Sequence, residues 1–228
     1  MSSTTRLVEV RQNVLKKNDM LARDLRKRFQ EACVFVCSMV SSPGTGKTTL
    51  LEKTLGLLGK KHQVAALVGD LATENDAVRL ARSGAPVRQI TTGTLCHLEA
   101  AMVETALEGW SLKDLDFLFI ENVGNLVCPA SYDLGEELRL VLMSVTEGED
   151  KPLKYPTIFN TADVAVITKT DLSAAVEFDA NAAKFSIESV RPGMKVFEVS
   201  AKTGQGMDEF LSYLELRRGY VKRQLQNS

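Results

Sequence analysis

Two periods of hydrophobic and polar positions alternate along the chain. Short apolar runs bounded by Gly, Pro or charged residues are typical of strands buried on both faces, and apolar positions three or four residues apart are typical of helices. The runs predict a first strand from residue 34 and further strands at 63–68, 87–90, 116–120, 140–145, 163–168 and 195–199. The helical spacing predicts helices at 7–29, 176–190 and 207–226, one that ends near residue 58 and one that ends near residue 109.

The alternation of strands with helices predicts an α/β fold with a single, mainly parallel, doubly wound sheet. Residues 1–31 are predicted to form an N-terminal amphipathic helix, and residues 32–228 the remaining domain. The apolar positions of that helix are Val10, Val14, Leu21, Leu25 and Phe29. Acidic residues among its basic ones favour a helix that packs on the domain over one that binds nucleic acid.

The segment after the first strand is predicted to bind a polyphosphate. It matches the phosphate-loop pattern G-x-x-x-x-G-K-[ST], with Ser41 in place of the first glycine. The glycines allow successive backbone N–H groups to point into one concave surface, and the following helix begins at the same place. The lysine supplies a point charge, and the hydroxyl after it is a ligand for Mg²⁺. The predicted binding residues are Pro43, Gly44, Thr45, Gly46, Lys47, Thr48 and Thr49.

Carboxylates at the ends of later strands are candidates for the magnesium side of this site. Asp70 ends the second strand, Asp76 lies in the loop TENDAVRL, and Glu121 closes the strand DFLFI. Any of these could hold Mg²⁺ or orient an attacking water, because strand ends face the ligand crevice of an open sheet. Asp70 and Asp76 could equally be solvated or helix-capping residues. The N–H of Gly124 could meet a γ-phosphate.

Two turns near the C-terminus indicate which base is bound. The stretch Thr168-Lys169-Thr170-Asp171 follows one strand, and Ser200-Ala201-Lys202 follows the last. A carboxylate placed like Asp171 can accept two hydrogen bonds from guanine, whereas adenine offers no such donor pair. The first stretch resembles the N-K-x-D motif of GTPases, with threonine in the asparagine position. GTP is therefore predicted rather than ATP.

Composition excludes several other classes of protein. The formal net charge of -1 gives no reason to expect a nucleic-acid or membrane partner, and no signal-peptide pattern or membrane-length apolar run is present in the sequence. The 4 Cys form no regular framework, which favours a reducing compartment. A cytoplasmic location is expected.

Cys96, His97 and Cys128 form a possible metal site. Thiolate and imidazole are ligands for Zn²⁺ or Ni²⁺, and both segments follow strands toward the nucleotide end of the sheet. From spacing alone, this is not a zinc-finger pattern, and buried structural cysteines are the alternative. Three ligands leave a four-coordinate ion incomplete, and a second copy across a two-fold axis could complete it. Cys33 and Cys37 are predicted to be packing residues.

Four stretches resemble the hydrogenase nickel-incorporation GTPase (HypB) family: SSPGTGKTTLLEKTL, CHLEAAMV, FIENVGNLVCPASYDLGE and SVTEGEDKPLKYP. The resemblance implies a P-loop GTPase that forms a homodimer and binds nickel or zinc through Cys96, His97 and Cys128. It implies that the protein delivers nickel to the hydrogenase large-subunit precursor with a small zinc- and nickel-binding chaperone. It also implies that Lys154 reaches the nucleotide of the partner subunit. The alternatives are a nickel or zinc buffer with a regulatory nucleotide site, and a urease-type nickel GTPase, which ENVGNLVCPA disfavours.

Overall fold

A computed structural model of the chain describes residues 3–70 and 75–226. The strands are β1 (Phe35–Ser41), β2 (Val64–Asp70), β3 (Val87–Thr91), β4 (Phe117–Glu121), β5 (Leu138–Ser144), β6 (Val164–Thr168) and β7 (Lys195–Glu198). The α-helices are α1 (Ser3–Glu31), α2 (Lys47–Leu58), α3 (Asn75–Ala81), α4 (Ala100–Ala106), α5 (Lys151–Lys154), α6 (Pro156–Thr161), α7 (Ala180–Val190) and α8 (Met207–Gln226).

The seven strands form one sheet in the order β3-β2-β4-β1-β5-β6-β7, and every pair of neighbours is parallel. The central strands are buried along their whole length, because helices cover both faces of the sheet. β1 lies between β4 and β5, so the chain order reverses at β1. Ligands of open parallel sheets bind at such a point, beyond the carboxyl ends of the strands. The prediction of a doubly wound α/β sheet is confirmed.

The N-terminal helix α1 packs on the face of the sheet that α4 also covers. Ala22, Leu25 and Phe29 form its buried side, while Val14 is exposed. The apolar face was predicted to begin at Val10, whose side chain lies outside the described part of the structure, and among the described side chains the buried face begins after Val14. Among residues 3–70 and 75–226, no helix is both long and apolar enough to cross a membrane.

Several predicted element bounds were wrong. The predicted loop TENDAVRL covers residues 73–80, of which residues 75–80 belong to α3, whereas residues 73 and 74 lie outside the described part of the chain. The predicted helix 176–190 begins only at residue 180, where Asp179 accepts hydrogen bonds from the backbone N–H groups of Asn181 and Ala182. Cys37 is buried as predicted, but Cys33 is exposed.

Candidate functional site

The phosphate loop joins β1 to α2 and has the conformation that the motif requires. Gly44 and Gly46 have φ angles of 76° and 98°, in the left-handed region that a residue without a β-carbon adopts at little cost. α2 begins at Lys47, so its first backbone N–H groups and the positive end of its dipole face the loop. Ser41, at the position of the first glycine of the motif, is the last residue of β1 and is fully buried.

Lys47, Thr48 and Glu121 form the polar floor of the loop. The Lys47 Nζ donates a hydrogen bond to Ser41 Oγ at 3.0 Å, and the Thr48 hydroxyl donates to Glu121 Oε1 at 2.7 Å. Burial raises the pKa of Glu121 to about 7, against the opposing effects of Lys47 and Thr48. Burial likewise lowers the pKa of Lys47. Both side chains are thus held in a poorly hydrated place, where burial disfavours the charged form of each.

A cavity of about 500 Å³ opens above this floor. Asp70, Asp76 and Arg79 line it from the β2 side, and Gly124 lines it from the β4 side. Gly124 is the third residue after β4, and a β-carbon at this position would lie 3.0 Å from Pro43 Cα, so a larger residue here would crowd the phosphate loop. The structure therefore brings the three predicted carboxylates and Gly124 to one cavity with the phosphate loop.

A second cavity, of about 200 Å³, lies next to the first. Asp171, Ala201 and Lys202 line it, together with Gly46 and Lys169, which line both cavities. The Asp171 carboxylate accepts a hydrogen bond from Ser200 Oγ at 2.7 Å, which fixes its orientation.

Lys169 separates the two cavities. It has a φ of 59°, and its Nζ donates to the backbone carbonyl of Gly44 at 2.7 Å. A β-carbon on Gly46 would touch its side chain at 3.5 Å. The hydroxyl of Thr168 donates to the carbonyl of Thr45 at 2.6 Å, so this threonine binds the phosphate loop from the position where the N-K-x-D motif has asparagine.

Cys96, His97 and Cys128 lie together at the same end of the sheet. Their ligand atoms are all within 4.8 Å of one another, and the two sulfur atoms are 2.7 Å apart. Both ring nitrogens of His97 are buried and, among the described residues, have no hydrogen-bond partner. Nε2 lies 3.4 Å from a Glu99 carboxylate oxygen, and the ring stacks on Tyr132. A buried imidazole nitrogen without a partner fits a metal ion, because a ligand bond would satisfy it.

The cluster of Cys96, His97 and Cys128, a candidate metal site, is joined to the two cavities through the segment after β4. Glu121 ends β4, Asn122 follows it, and Cys128 begins a short 3-10 helix a few residues later. The Asn122 side-chain oxygen accepts hydrogen bonds from the N–H groups of Leu98 and Val123. Asn122, which follows Glu121, is therefore hydrogen-bonded to Leu98, which follows His97.

Comparison with known proteins agrees with this geometry. Residues 35–198 match the family described as CobW/HypB/UreG, nucleotide-binding domain. The hydrogenase maturation factor HypB of Azotobacter chroococcum mcd 1 is 49% identical over 95% of this chain and 71% of its own length. The chain belongs to the HypB family.

Two solved HypB structures are similar over their whole length. The HypB of Helicobacter pylori, crystallised in complex with nickel, is 41% identical and aligns with a TM-score of 0.85 over 90% of this chain and 96% of its own. The HypB of Archaeoglobus fulgidus is 38% identical, with a TM-score of 0.82 over 90% and 99%. The fold and the nucleotide-binding domain are therefore those of HypB proteins.

One side chain of this HypB-type site was missed in the sequence. Glu147 follows β5 and accepts hydrogen bonds from the Ser42 hydroxyl, from Thr45 Oγ1 at 2.9 Å and from the Ser144 N–H at 2.7 Å. Lys151 pairs with it at 3.1 Å. A glutamate just beyond a strand is a sequence signal of the kind that singled out Glu121, but Glu147 is not the strand's last residue.

Lys154 is not brought to the nucleotide cavities of its own subunit. Its side chain is mostly exposed and pairs with Asp150 at 2.7 Å, and it does not line either of the two described cavities. Contact with a nucleotide would therefore require a second subunit, as the sequence resemblance implies. That contact stays a prediction.

Proposed function

We propose that this protein hydrolyses GTP to GDP and phosphate, binds Ni²⁺ or Zn²⁺ according to its nucleotide state, and assists nickel insertion into the hydrogenase large-subunit precursor. The names of its relatives as hydrogenase maturation factors, and the nickel complex of the Helicobacter pylori protein, support this role. A cytoplasmic location is part of the proposal, since the four free cysteines suit a reducing compartment.

Guanine is the proposed base. Asp171 lines the smaller cavity with its carboxylate fixed by Ser200, so it can accept both the N1–H and the exocyclic amine of guanine. Ala201 and Lys202 line the same cavity, where a backbone N–H of the turn can donate to the guanine oxygen. Adenine carries an amine at that place and lacks the N1–H donor. The apolar stem of Lys169 is available to cover the base.

The phosphate groups are proposed to occupy the larger cavity. Lys47 and the N–H groups of the loop bind the β- and γ-phosphates, and Thr48, Glu121 and Asp76 are the residues that would hold Mg²⁺. When bound at these residues, Mg²⁺ would supply positive charge that neutralises the leaving β-phosphate oxygen. Asp70 or Asp76 orients the water that attacks the γ-phosphorus in line with that oxygen. The N–H of Gly124 can sense the γ-phosphate, because Gly124 lies against Pro43 of the loop.

The transported metal ion is proposed to bind Cys96, His97 and Cys128. Two thiolates and an imidazole suit Ni²⁺ and Zn²⁺, and the unsatisfied nitrogens of His97 support a ligand role. A fourth ligand from a second copy of the chain would complete the ion, so a homodimer is part of the proposal. A small zinc- and nickel-binding chaperone and the hydrogenase large-subunit precursor are the proposed partners. Val127, next to Cys128, is strongly exposed and available for such a contact.

The proposal rests on the segment that connects the larger cavity to the cluster of Cys96, His97 and Cys128. Glu121 and Gly124 line the phosphate cavity, and Cys128 belongs to the metal cluster on the same stretch of chain. A γ-phosphate that moves Gly124 must therefore move a metal ligand. Linkage then requires that metal change GTP affinity by the factor by which GTP changes metal affinity.

The test is a pair of Ni²⁺ titrations by calorimetry, with GTP and with GDP, and light scattering for mass. The proposal expects different metal affinities in the two nucleotide states and a nucleotide- and metal-dependent dimer. Cys128→Ala should weaken metal binding, leave GTP binding to the monomer intact and remove the coupling. Cys33→Ala, at an exposed thiol, is the matched control. Equal metal affinity in both nucleotide states, with a monomer throughout, would contradict the proposal.

A further inference from the structure

Asn18 is a buried amide that joins α1 to two separate loops. Its Nδ2 donates a hydrogen bond to the backbone carbonyl of Asp133 at 2.9 Å. Its Oδ1 accepts a hydrogen bond from the backbone N–H of Ala100, also at 2.9 Å. The residue is 4% exposed, so both contacts are shielded from water.

The two backbone groups lie close to the metal cluster along the chain. Ala100 is the first residue of α4 and lies three residues after His97. Asp133 lies five residues after Cys128, just beyond the short helix that Cys128 begins. A single side chain of α1 therefore bridges the loop that carries Cys96 and His97 and the loop that carries Cys128.

A polar side chain at the buried position of Asn18 is better explained by this bridge than by packing of the helix. The rest of the buried side of α1, at Ala22, Leu25 and Phe29, is apolar. A buried amide stabilises a fold only when its donor and its acceptor are both satisfied, and an apolar side chain would pack as well without that demand. Here, both ends of the amide are used, and each binds a different loop.

α1 contacts the second loop at another point. The Arg26 guanidinium donates to both carboxylate oxygens of Asp133, at 2.7 and 2.9 Å. Its charge and hydrogen bond hold the pKa of Asp133 below its usual value, although burial acts in the opposite direction. Asp133 is therefore fixed to α1 by both its main chain and its side chain. Asn18 also binds Ala100, so it fixes the position of the loop that carries Cys96 and His97 relative to Asp133.

We propose that Asn18 is a positioning residue for the metal cluster and that α1 belongs to the metal site. The inference rests on the proposed function of Cys96, His97 and Cys128 as metal ligands. A metal site requires ligand distances within a few tenths of an ångström, and two ligands on independent loops lose that precision when the loops separate. Asn18 holds the loops together from outside the ligand set, as groups in the outer shell of metal sites do.

The test uses the whole chain of 228 residues and four variants, of which Cys128→Ala serves to test the proposed metal site itself. Asn18→Ala removes both hydrogen bonds, and Asn18→Asp keeps the shape and the acceptor for Ala100 but cannot donate to the Asp133 carbonyl. Asn13→Ala removes an exposed asparagine of the same helix and is the matched control. Ni²⁺ affinity is measured by calorimetry and by thiolate-to-nickel charge-transfer absorption, and GDP affinity is measured with a fluorescent GDP analogue.

Asn18→Ala and Asn18→Asp are expected to bind Ni²⁺ about tenfold or more weakly, the range for changes in the outer shell of a metal site. Their GDP affinity should stay within about twofold of wild type, because the two hydrogen-bond partners of Asn18, Ala100 and Asp133, line neither of the two described cavities. Asn13→Ala should match wild type in both measurements. The charge-transfer band should shift or weaken in the Asn18 variants at saturating Ni²⁺, which a general loss of stability would not produce.

Three results would overturn the inference. Wild-type Ni²⁺ affinity in both Asn18 variants would show that the bridge does not position the ligands. An equal loss of Ni²⁺ and GDP affinity would show a general structural role. Cys128→Ala distinguishes a failure of this inference from a failure of the proposed metal site. If Cys128→Ala binds Ni²⁺ like wild type, the cluster is not the metal site, and the proposed metal site and the role of Asn18 both fail. If Cys128→Ala loses Ni²⁺ affinity and the Asn18 variants do not, only the role of Asn18 is refuted.

Discussion

The side-chain oxygen of Asn122 accepts a hydrogen bond from the backbone N–H of Leu98 at 3.0 Å. Asn122 follows Glu121, whose carboxylate binds the Thr48 hydroxyl of the phosphate loop. Leu98 follows His97 of the metal cluster. The buried amide of Asn122 thus connects the strand end at Glu121, a proposed magnesium ligand, directly to the backbone beside His97, a proposed nickel ligand.

This contact predicts that Asn122→Ala uncouples the two sites. The variant should still bind GTP and Ni²⁺, but the ratio of its Ni²⁺ affinities with GTP and GDP should approach one. Loss of the acceptor leaves the buried N–H of Leu98 unsatisfied, so the free energy of unfolding should fall by about 1 to 3 kcal/mol. Calorimetry in both nucleotide states measures the ratio. Asn181→Ala, at an exposed position, is the control, and a wild-type ratio in Asn122→Ala would refute the connection.

Lys47→Ala should abolish nucleotide binding and leave the fold intact. The substitution removes the point charge on the β- and γ-phosphates and breaks the contact with Ser41 Oγ, but it leaves the apolar core unchanged. Fluorescence titration with a GDP analogue measures binding, and circular dichroism measures the melting temperature. Lys53→Ala, at an exposed lysine of the same helix, should bind normally. Unchanged GTP affinity in Lys47→Ala would contradict the assignment of the phosphate loop.

Asp171→Asn should shift preference from guanine toward xanthine nucleotides. The amide can donate where xanthine presents an acceptor, and the loss of a paired, charged contact should reduce GTP binding by about 2 to 3 kcal/mol. Competition of GTP, XTP and ATP for the wild type and the variant measures the shift. Asp114→Asn is an exposed control. If ATP competed as well as GTP on the wild type, guanine recognition by Asp171 would be disproved.

Glu147→Gln should weaken nucleotide binding and lower stability. Burial alone would raise the pKa of Glu147, but hydrogen bonds from Ser42, Ser144 and Thr45 and the contact with Lys151 lower it below its ordinary value. The side-chain amide of glutamine would place an N–H donor against these O–H and N–H donors, which should lower the free energy of unfolding by about 1 to 3 kcal/mol near neutral pH.

The pH dependence of the same variant follows from the sign of that shift. Because the pKa of folded Glu147 lies below its unfolded value of about 4.5, the carboxylate stabilises the fold above that pH. This stabilisation is lost as the pH falls through the folded pKa, so wild type and Glu147→Gln should converge in acid. Urea denaturation at several pH values, with Glu108→Gln as the exposed control, measures the difference. A constant difference from neutral to acid pH would contradict it.

Local sequence patterns predicted the sheet and the phosphate loop. The short apolar runs of β1, β4 and β6 are buried on both faces, and such strands need no knowledge of their neighbours to be recognised. Gly44 and Gly46 sit in a motif whose spacing alone specifies the turn. Cys96, His97 and Cys128 were singled out by their chemistry, and the structure brings them together.

Contacts between distant segments could not be predicted in this way. Asn18 meets Ala100 and Asp133 across 82 and 115 residues of chain, and nothing in the neighbouring sequence marks it. Residues 73–80 were predicted to be a loop because the segment is polar and too short to show helical periodicity. In the structure, α3 packs against α2 and β3. In each case, tertiary packing decides the outcome, and a local pattern has no information about it.

The central position of β1 places the phosphate loop between two carboxylates from neighbouring strands. Glu121, at the end of β4, binds Thr48, and Glu147, after β5, binds Thr45. Glu121 leads through Asn122 to the metal cluster, and Glu147 pairs with Lys151 of α5, the helix that also carries Lys154. Under the proposed function, a movement of the phosphate loop on nucleotide exchange would therefore reach both flanks of the sheet at once, and would link release of the metal ion to rearrangement of the proposed subunit contact.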